Sequence, residues 1–253
     1  MLTRRVIACL DVKGARVVKG TRFVGLRDVG DPVELAMRYE AEGADEICFL
    51  DISATPDERA TAFDVVRRTA ERLFVPLTLG GGIREVADVA NALRAGADKV
   101  SVNTAAVERP AILTEAAERF GSQCVVASID ARRDGEGWRV WTHGGRRPTD
   151  LDAVRWAVEC ARRGAGEILL TSIDADGGRR GYDLALTRTV SEAVRVPVIA
   201  SGGAGAAAHL VDAVVEGEAD AVLLAGLLHD GLATVAGIKR AMREAGVGVR
   251  MPA

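Results

Sequence analysis

Two aspartates stand out by what precedes them. Asp11 follows the apolar run Val6-Ile7-Ala8-Cys9-Leu10, and Asp130 ends "ASID", 119 residues further on. An apolar run of this kind is a strand to be buried, and a carboxylate at its tip must be solvated, bonded or put to use. Either one could simply cap the loop that follows, but that role suits a symmetric pair poorly. Two carboxylates facing one space are candidates for whatever chemistry takes place there.

Glycine loops also come in pairs. "LGGGI" (79–83) and "ASGGAG" (200–205) each follow a candidate strand and open a candidate helix. Glycines there let backbone amides approach an anion at a positive helix N-terminus, so phosphate is the expected ligand. A tight turn needing glycine only for its backbone angles is the plainer alternative. Gly203 to Ala208 also fits the G-x-G-x-x-A dinucleotide fingerprint, but only 48 residues follow Gly205, and Asp220 precedes the next strand instead of ending it. That is too little chain for a dinucleotide-binding domain. Two phosphate loops facing two carboxylates imply a long substrate with a phosphate at each end.

The elements that would position these groups alternate. Short apolar runs at Arg5–Leu10, Glu46–Ile52, Leu77–Leu79, Lys99–Val102, Cys124–Ile129, Glu167–Thr171, Val198–Ala200 and Ala221–Leu224 read as eight strands. Amphipathic segments lie between them: 32–42, 61–73, 85–95, 110–120, 151–163, 184–193, 206–216 and 234–245. Asp31-Pro32 is a helix start, and Gly43, Gly96, Gly121, Gly164, Gly217 and Gly246 sit where left-handed C-terminal caps are wanted. Eight βα units in 253 residues give an α/β fold, a (β/α)8 TIM barrel, in preference to a doubly wound open sheet. Residues 131–149 break the rhythm and read as a hairpin inserted above the fifth strand. "VPLTLGGG" at 75–82 and "VPVIASGG" at 196–203 repeat at an offset of 121, as do "GADEI" at 43–47 and "GAGEI" at 164–168. The single barrel domain therefore reads as two homologous half-barrels, 1–120 and 121–253, with Asp11 and Asp130 at equivalent positions of the C-terminal rim.

Bulk properties exclude several classes. A net charge of −3 offers no basic field for nucleic acid or a membrane surface, and the longest apolar run, Ala221 to Leu228, is too short to span a bilayer. The four cysteines form no CxxC and the three histidines no cluster, so buried thiols in a reducing cytoplasm are expected, with no metal. "MLTRR" lacks the apolar core of a secretory signal.

The chain resembles the family of cyclase subunits of imidazole glycerol phosphate synthase, from histidine biosynthesis. "RVIACLDVKGARVVKG", "FLDISAT", "GGGIREVADV", "GADKVSVNTAAV", "FGSQCVVASIDARR", "GAGEILLTSIDADG" and "IASGGAG" carry the resemblance nearly end to end. It implies a barrel without a cofactor that takes a doubly phosphorylated phosphoribulosyl-formimino-aminoimidazole carboxamide ribonucleotide. Ammonia from a glutaminase partner is added, giving imidazole glycerol phosphate and aminoimidazole carboxamide ribotide. On this resemblance Asp11 and Asp130 become the acid/base pair and Lys19 reaches substrate. Gly82, Asn103 and Thr104 make one phosphate site; Asp176, Gly177, Gly203 and Gly226 make the other; Thr171 bonds substrate. Arg5, Glu46, Lys99 and Glu167 become an ammonia gate at the N-terminal rim, with the glutaminase docked beneath and Asp45 and Asp98 facing it. A purely structural ionic ring is the plainer meaning of such charges.

Three positions depart from the family pattern: Gly226 stands where a serine is frequent, Gly178 where threonine is usual, and "GARVV" replaces "DGRVV". The second phosphate site would then lean on amides or on Arg179 and Arg180. The isomerase of the same pathway and a non-catalytic phosphosugar-binding barrel are the alternative readings.

Overall fold

The computed structural model describes residues 3–21, 24–52 and 56–251. Eight parallel strands close on themselves: β1 (Arg5–Lys13), β4 (Glu46–Asp51), β5 (Leu77–Gly80), β6 (Lys99–Val102), β7 (Val125–Asp134), β10 (Glu167–Ser172), β11 (Val198–Ser201) and β12 (Ala221–Leu224). The β10–β7 and β1–β12 pairings complete the circle, so no parallel edge is left exposed. Around it run α1 (Pro32–Ala41), α2 (Pro56–Ala70), α3 (Val86–Arg94), α4 (Thr104–Glu108), α5 (Ala111–Phe120), α6 (Ala153–Arg162), α7 (Leu184–Ala193), α8 (Ala207–Val215), α9 (Gly226–His229) and α10 (Val235–Glu244). The fold is a (β/α)8 TIM barrel.

Strand alternation splits the apolar residues into two shells. On β1, Val6, Ala8 and Leu10 are fully buried outward against the helices. Ile7 and Cys9 point inward and meet Cys48, Val126, Leu169, Ile199 and Leu223 in a compact interior plug. Both faces of each strand are therefore apolar, which is why the strands read as continuous runs. Truncating a fully buried Ile7 or Leu170 to alanine would cost about 2–5 kcal/mol.

Local chemistry sets the joints. Asp31 accepts the N–H groups of Val33 (2.9 Å) and Glu34 (3.1 Å), with Pro32 supplying a first helical residue that has no N–H to satisfy. Gly43, Gly96, Gly121, Gly164 and Gly246 all have positive φ after their helices. Gly217 does not; the left-handed residue there is Glu218, at φ 57°. After α8 the chain turns one residue later than its glycine suggests, because Gly217 still bonds back to Asp212.

Two antiparallel additions depart from eight plain units. β2 (Arg16–Thr21) and β3 (Val24–Gly30) form an antiparallel hairpin after β1, beyond the eight predicted strands. The inserted hairpin at 131–149 is present as an extension of β7 paired with β8 (Gly137–Thr142), and a further strand, β9 (Arg147–Asp152), pairs with β8. Both additions stand above the C-terminal mouth. β1 and β7 consequently run past their aspartates, so Asp11 and Asp130 lie within long strands instead of at strand tips.

Candidate active site

The inward rows of the barrel strands end at the C-terminal mouth in polar groups. β1 contributes Asp11, two positions beyond Cys9, and β7 contributes Asp130, two beyond Ser128. Thr171 on β10 is in register with Asp130 on one side and Ser201 on the other. Ser201 escaped the sequence reading, although its place at the end of the apolar run before "GGAG" was a usable signal.

Both aspartates are held well above the ordinary carboxylate range. Burial pushes the Asp11 carboxyl up to about 6; Lys19 opposes the shift and Asp176 adds to it. Burial likewise pushes Asp130 up to about 6, with Asp176 adding and an Asn103 amide, 2.9 Å away, opposing. Asp176 thus repels both members of the pair. Carboxyls poised near neutrality can each exist in either protonation state at working pH, as general acid/base chemistry requires.

Cations gather on the β12 side. A Cβ placed on Gly226 would lie 3.4 Å from Lys19 Cε and 3.9 Å from Arg179 Nη2. Glycine at 226 therefore leaves room for two cations, Lys19 of β2 and Arg179 of the loop after β10. Asp230, just beyond α9, pairs with Arg179 and also with Arg27 of β3. That acid was not anticipated, because Arg27 and Asp230 are 203 residues apart and share no motif.

The glycine loops are packed as tightly as they are open. A Cβ on Gly203 (φ 107°) would meet the Gly181 carbonyl oxygen at 2.0 Å, and Gly181 N–H donates back to the Gly203 carbonyl at 2.9 Å. A Cβ on Gly205 would meet the Arg179 carbonyl at 2.1 Å. The loop carrying Asp176, Gly177 (φ 72°) and Arg179 is thereby laid over the start of the β11–α8 turn. In the other glycine loop Gly81 (φ 85°) packs on Asp51 and Gly82 has φ 68°. Beside it, the Asn103 amide N–H donates to Asp130 while its Oδ1 is buried without a partner among the described residues, and the Thr104 hydroxyl accepts the His143 N–H at 3.0 Å with its own O–H left to donate.

At the opposite rim the four predicted charges form one alternating ring. Arg5 meets Glu46 and Glu167 at 2.8 Å each, and Lys99 meets Glu46 at 2.8 Å and Glu167 at 3.0 Å. Glu46 is 1% exposed and also accepts the Thr78 hydroxyl at 2.7 Å. Burial works against the Arg5 charge, but Glu167 and Glu46 hold its guanidinium above the ordinary value. Asp45 does not face outward as expected. It accepts the Val6 N–H (2.8 Å) and pairs with the fully buried Lys239 at 2.7 Å. Asp98 accepts the Leu77 N–H at 2.8 Å and stays exposed.

Among the described residues no group of His, Cys, Asp and Glu is arranged to hold a metal ion, and no helix is long and apolar enough to cross a membrane.

A family model for histidine biosynthesis proteins matches residues 5–234. The chain is 72% identical over 250 residues to imidazole glycerol phosphate synthase subunit HisF of Myxococcus xanthus, covering 99% of each chain. It is 60% identical over 252 residues to the subunit of the same name from Anoxybacillus flavithermus, covering 99% of this chain and 100% of that one. Identity of this extent, on a barrel whose mouth and floor carry the residues described, means that the chain belongs to the HisF family of imidazole glycerol phosphate synthase subunits, among the histidine biosynthesis proteins.

Proposed function

We propose that this chain is the cyclase of histidine biosynthesis. It adds ammonia to the phosphoribulosyl-formimino-aminoimidazole carboxamide ribonucleotide and yields imidazole glycerol phosphate with aminoimidazole carboxamide ribotide. The observation that carries this reading is the pair of buried carboxyls, Asp11 and Asp130, both pushed up to about 6 in one barrel mouth. Ammonia attack, departure of the carboxamide ribotide and ring closure each need a proton moved, and Asp11 and Asp130 divide that work.

Lys19 stands between Asp11 and Gly226, where it serves a substrate oxygen or phosphate with Arg179. Asp176, Gly177, Gly203 and Gly226 frame that phosphate site; Gly82, Asn103 and Thr104 frame the other. Thr171 bonds substrate beside Asp130. Two glycine loops and two acids at corresponding places of residues 1–120 and 121–253 support a duplicated half-barrel origin for this division of labour.

The ring of Arg5, Glu46, Lys99 and Glu167 serves as the ammonia gate, with a glutaminase docked on the rim beneath it. The name "subunit" carried by the relatives supports a partner, and the ring's position below the interior plug supports that face. The test is purified protein with the phosphoribulosyl-formimino substrate and ammonium salt at alkaline pH, wild type against Asp11→Asn. Turnover that collapses in the variant is the expected result. Absence of turnover by wild type, with substrate nevertheless bound, would overturn the cyclase reading.

A further inference from the structure

β7 directs Val126, Ser128 and Asp130 inward, and Trp141 of β8 is the register partner of Asp130. Directly opposed residues on antiparallel strands share a face, with Cβ atoms about 4.5–5.5 Å apart. The other face of this hairpin is structural. Ala131 and Val140 are fully buried against the helices, and the Trp138 indole N–H donates to Asp183 at 3.0 Å.

Trp141 is arranged differently. It is half-buried, and its indole N–H has no partner among the described residues. The Arg132 guanidinium lies 4.2 Å from its ring centre, and Arg132 is tied in turn to Asp174 at 3.7 Å. No other ring or cation covers the second face of the indole among the described residues. A tryptophan needed only for packing would be expected to bury its ring and satisfy its N–H, as Trp138 does.

We propose that Trp141, steadied by Arg132, is the platform on which the aminoimidazole carboxamide half of the substrate stacks beside Asp130. This rests on the cyclase reading and adds to it an assignment of substrate orientation. A flat heterocycle gains contact with the open indole face while Arg132 holds the ring from the other face, a combination suited to a heteroaromatic carboxamide. With that half on the β7–β8 side, Asp130 is the carboxyl next to the departing ribotide, and the sugar chain extends toward Asp11, Lys19 and Gly226.

The experiment compares wild type, Trp141→Phe and Trp141→Ala. Aminoimidazole carboxamide ribotide is titrated against each by calorimetry and by quenching of tryptophan fluorescence, and the ammonium-dependent reaction is run in parallel. Expected are a loss of binding of about tenfold or more in the alanine variant, with KM rising more than kcat falls, and near wild-type behaviour with phenylalanine. Quenching should be present in wild type and absent in Trp141→Phe, whose two other tryptophans lie outside the mouth. Turnover by wild type with no difference between it and the alanine variant would overturn the platform alone. Absence of both binding and turnover in wild type would overturn the cyclase reading and the platform with it. If the alanine variant does not fold, the quenching comparison decides: equal quenching in wild type and Trp141→Phe would overturn the proposal.

Discussion

Asn103 donates its side-chain amide to Asp130 at 2.9 Å, whereas the group opposing the charge penalty at Asp11 is the ammonium of Lys19. Two carboxyls pushed to the same value by burial are thus steadied by different partners, one neutral and one cationic. The two carboxyls therefore respond differently to the loss of a partner. Replacing Asn103 with leucine removes a bond that favours the ionised Asp130, so its pKa rises further. The limb of the kcat/KM profile governed by Asp130 should move to higher pH, while Asp11→Asn abolishes a separate limb. A profile unmoved by Asn103→Leu would remove Asn103 from the acid/base machinery.

The burial that raises both aspartates also strains the fold. For both groups the folded value of about 6 lies above the ordinary 3.8. Stability from such a group is full below about pH 4 and is lost as pH rises through about 6. At pH 8 each ionised, buried carboxylate costs the fold at most about 3 kcal/mol. Asp11→Asn and Asp130→Asn should therefore melt several degrees higher than wild type at pH 8 and show little gain at pH 4, while activity falls about a hundredfold or more. Thermal melts at the two pH values check the sign.

The ring at the floor should be sensitive to loss of one partner. Lys99→Met leaves Glu46, almost fully buried, and Glu167 sharing Arg5 alone. A cost of about 2–5 kcal/mol is expected by urea unfolding, because an uncompensated carboxylate stays buried. Adding Glu46→Gln should restore part of it. In the glutaminase complex the single variant should also lower glutamine-driven turnover relative to ammonium-driven turnover.

The β11–α8 glycine turn offers a steric test. Gly203→Ala places a methyl 2.0 Å from the Gly181 carbonyl at a φ that L-residues avoid. The Arg179 loop must shift, raising KM roughly tenfold and destabilising the fold by about 1–3 kcal/mol. Gly135→Ala is the control: its φ is also positive, at 58°, but nothing lies within 4 Å. It should cost only about 1 kcal/mol and leave KM unchanged.

Much of this was legible in residue order. Continuous apolar runs, helix caps such as Asp31-Pro32 and the repeated glycine turns are local signals, and they were enough for eight βα units and for both aspartates. Charges at the starts of strands one, two, four and six could be named for the same reason. Other features were hidden because they depend on register and closure. That Arg5 and Lys99 alternate with Glu46 and Glu167 around one ring follows only when β10 pairs with β7 and β12 with β1. That Asp45 turns inward to Lys239 could not be inferred from "GADEI". The pairing of Trp141 with Asp130, and of Arg27 and Arg179 with Asp230, joins residues whose neighbours in sequence say nothing of each other. Sequence order by itself determined the eight strands that build the barrel and the two aspartates they carry to the rim, because hydrophobic periodicity and turn chemistry act over a few residues. Only the tertiary structure decided which of those residues meet, because a closed barrel brings distant strands within a few ångströms and the resulting burial sets their charge.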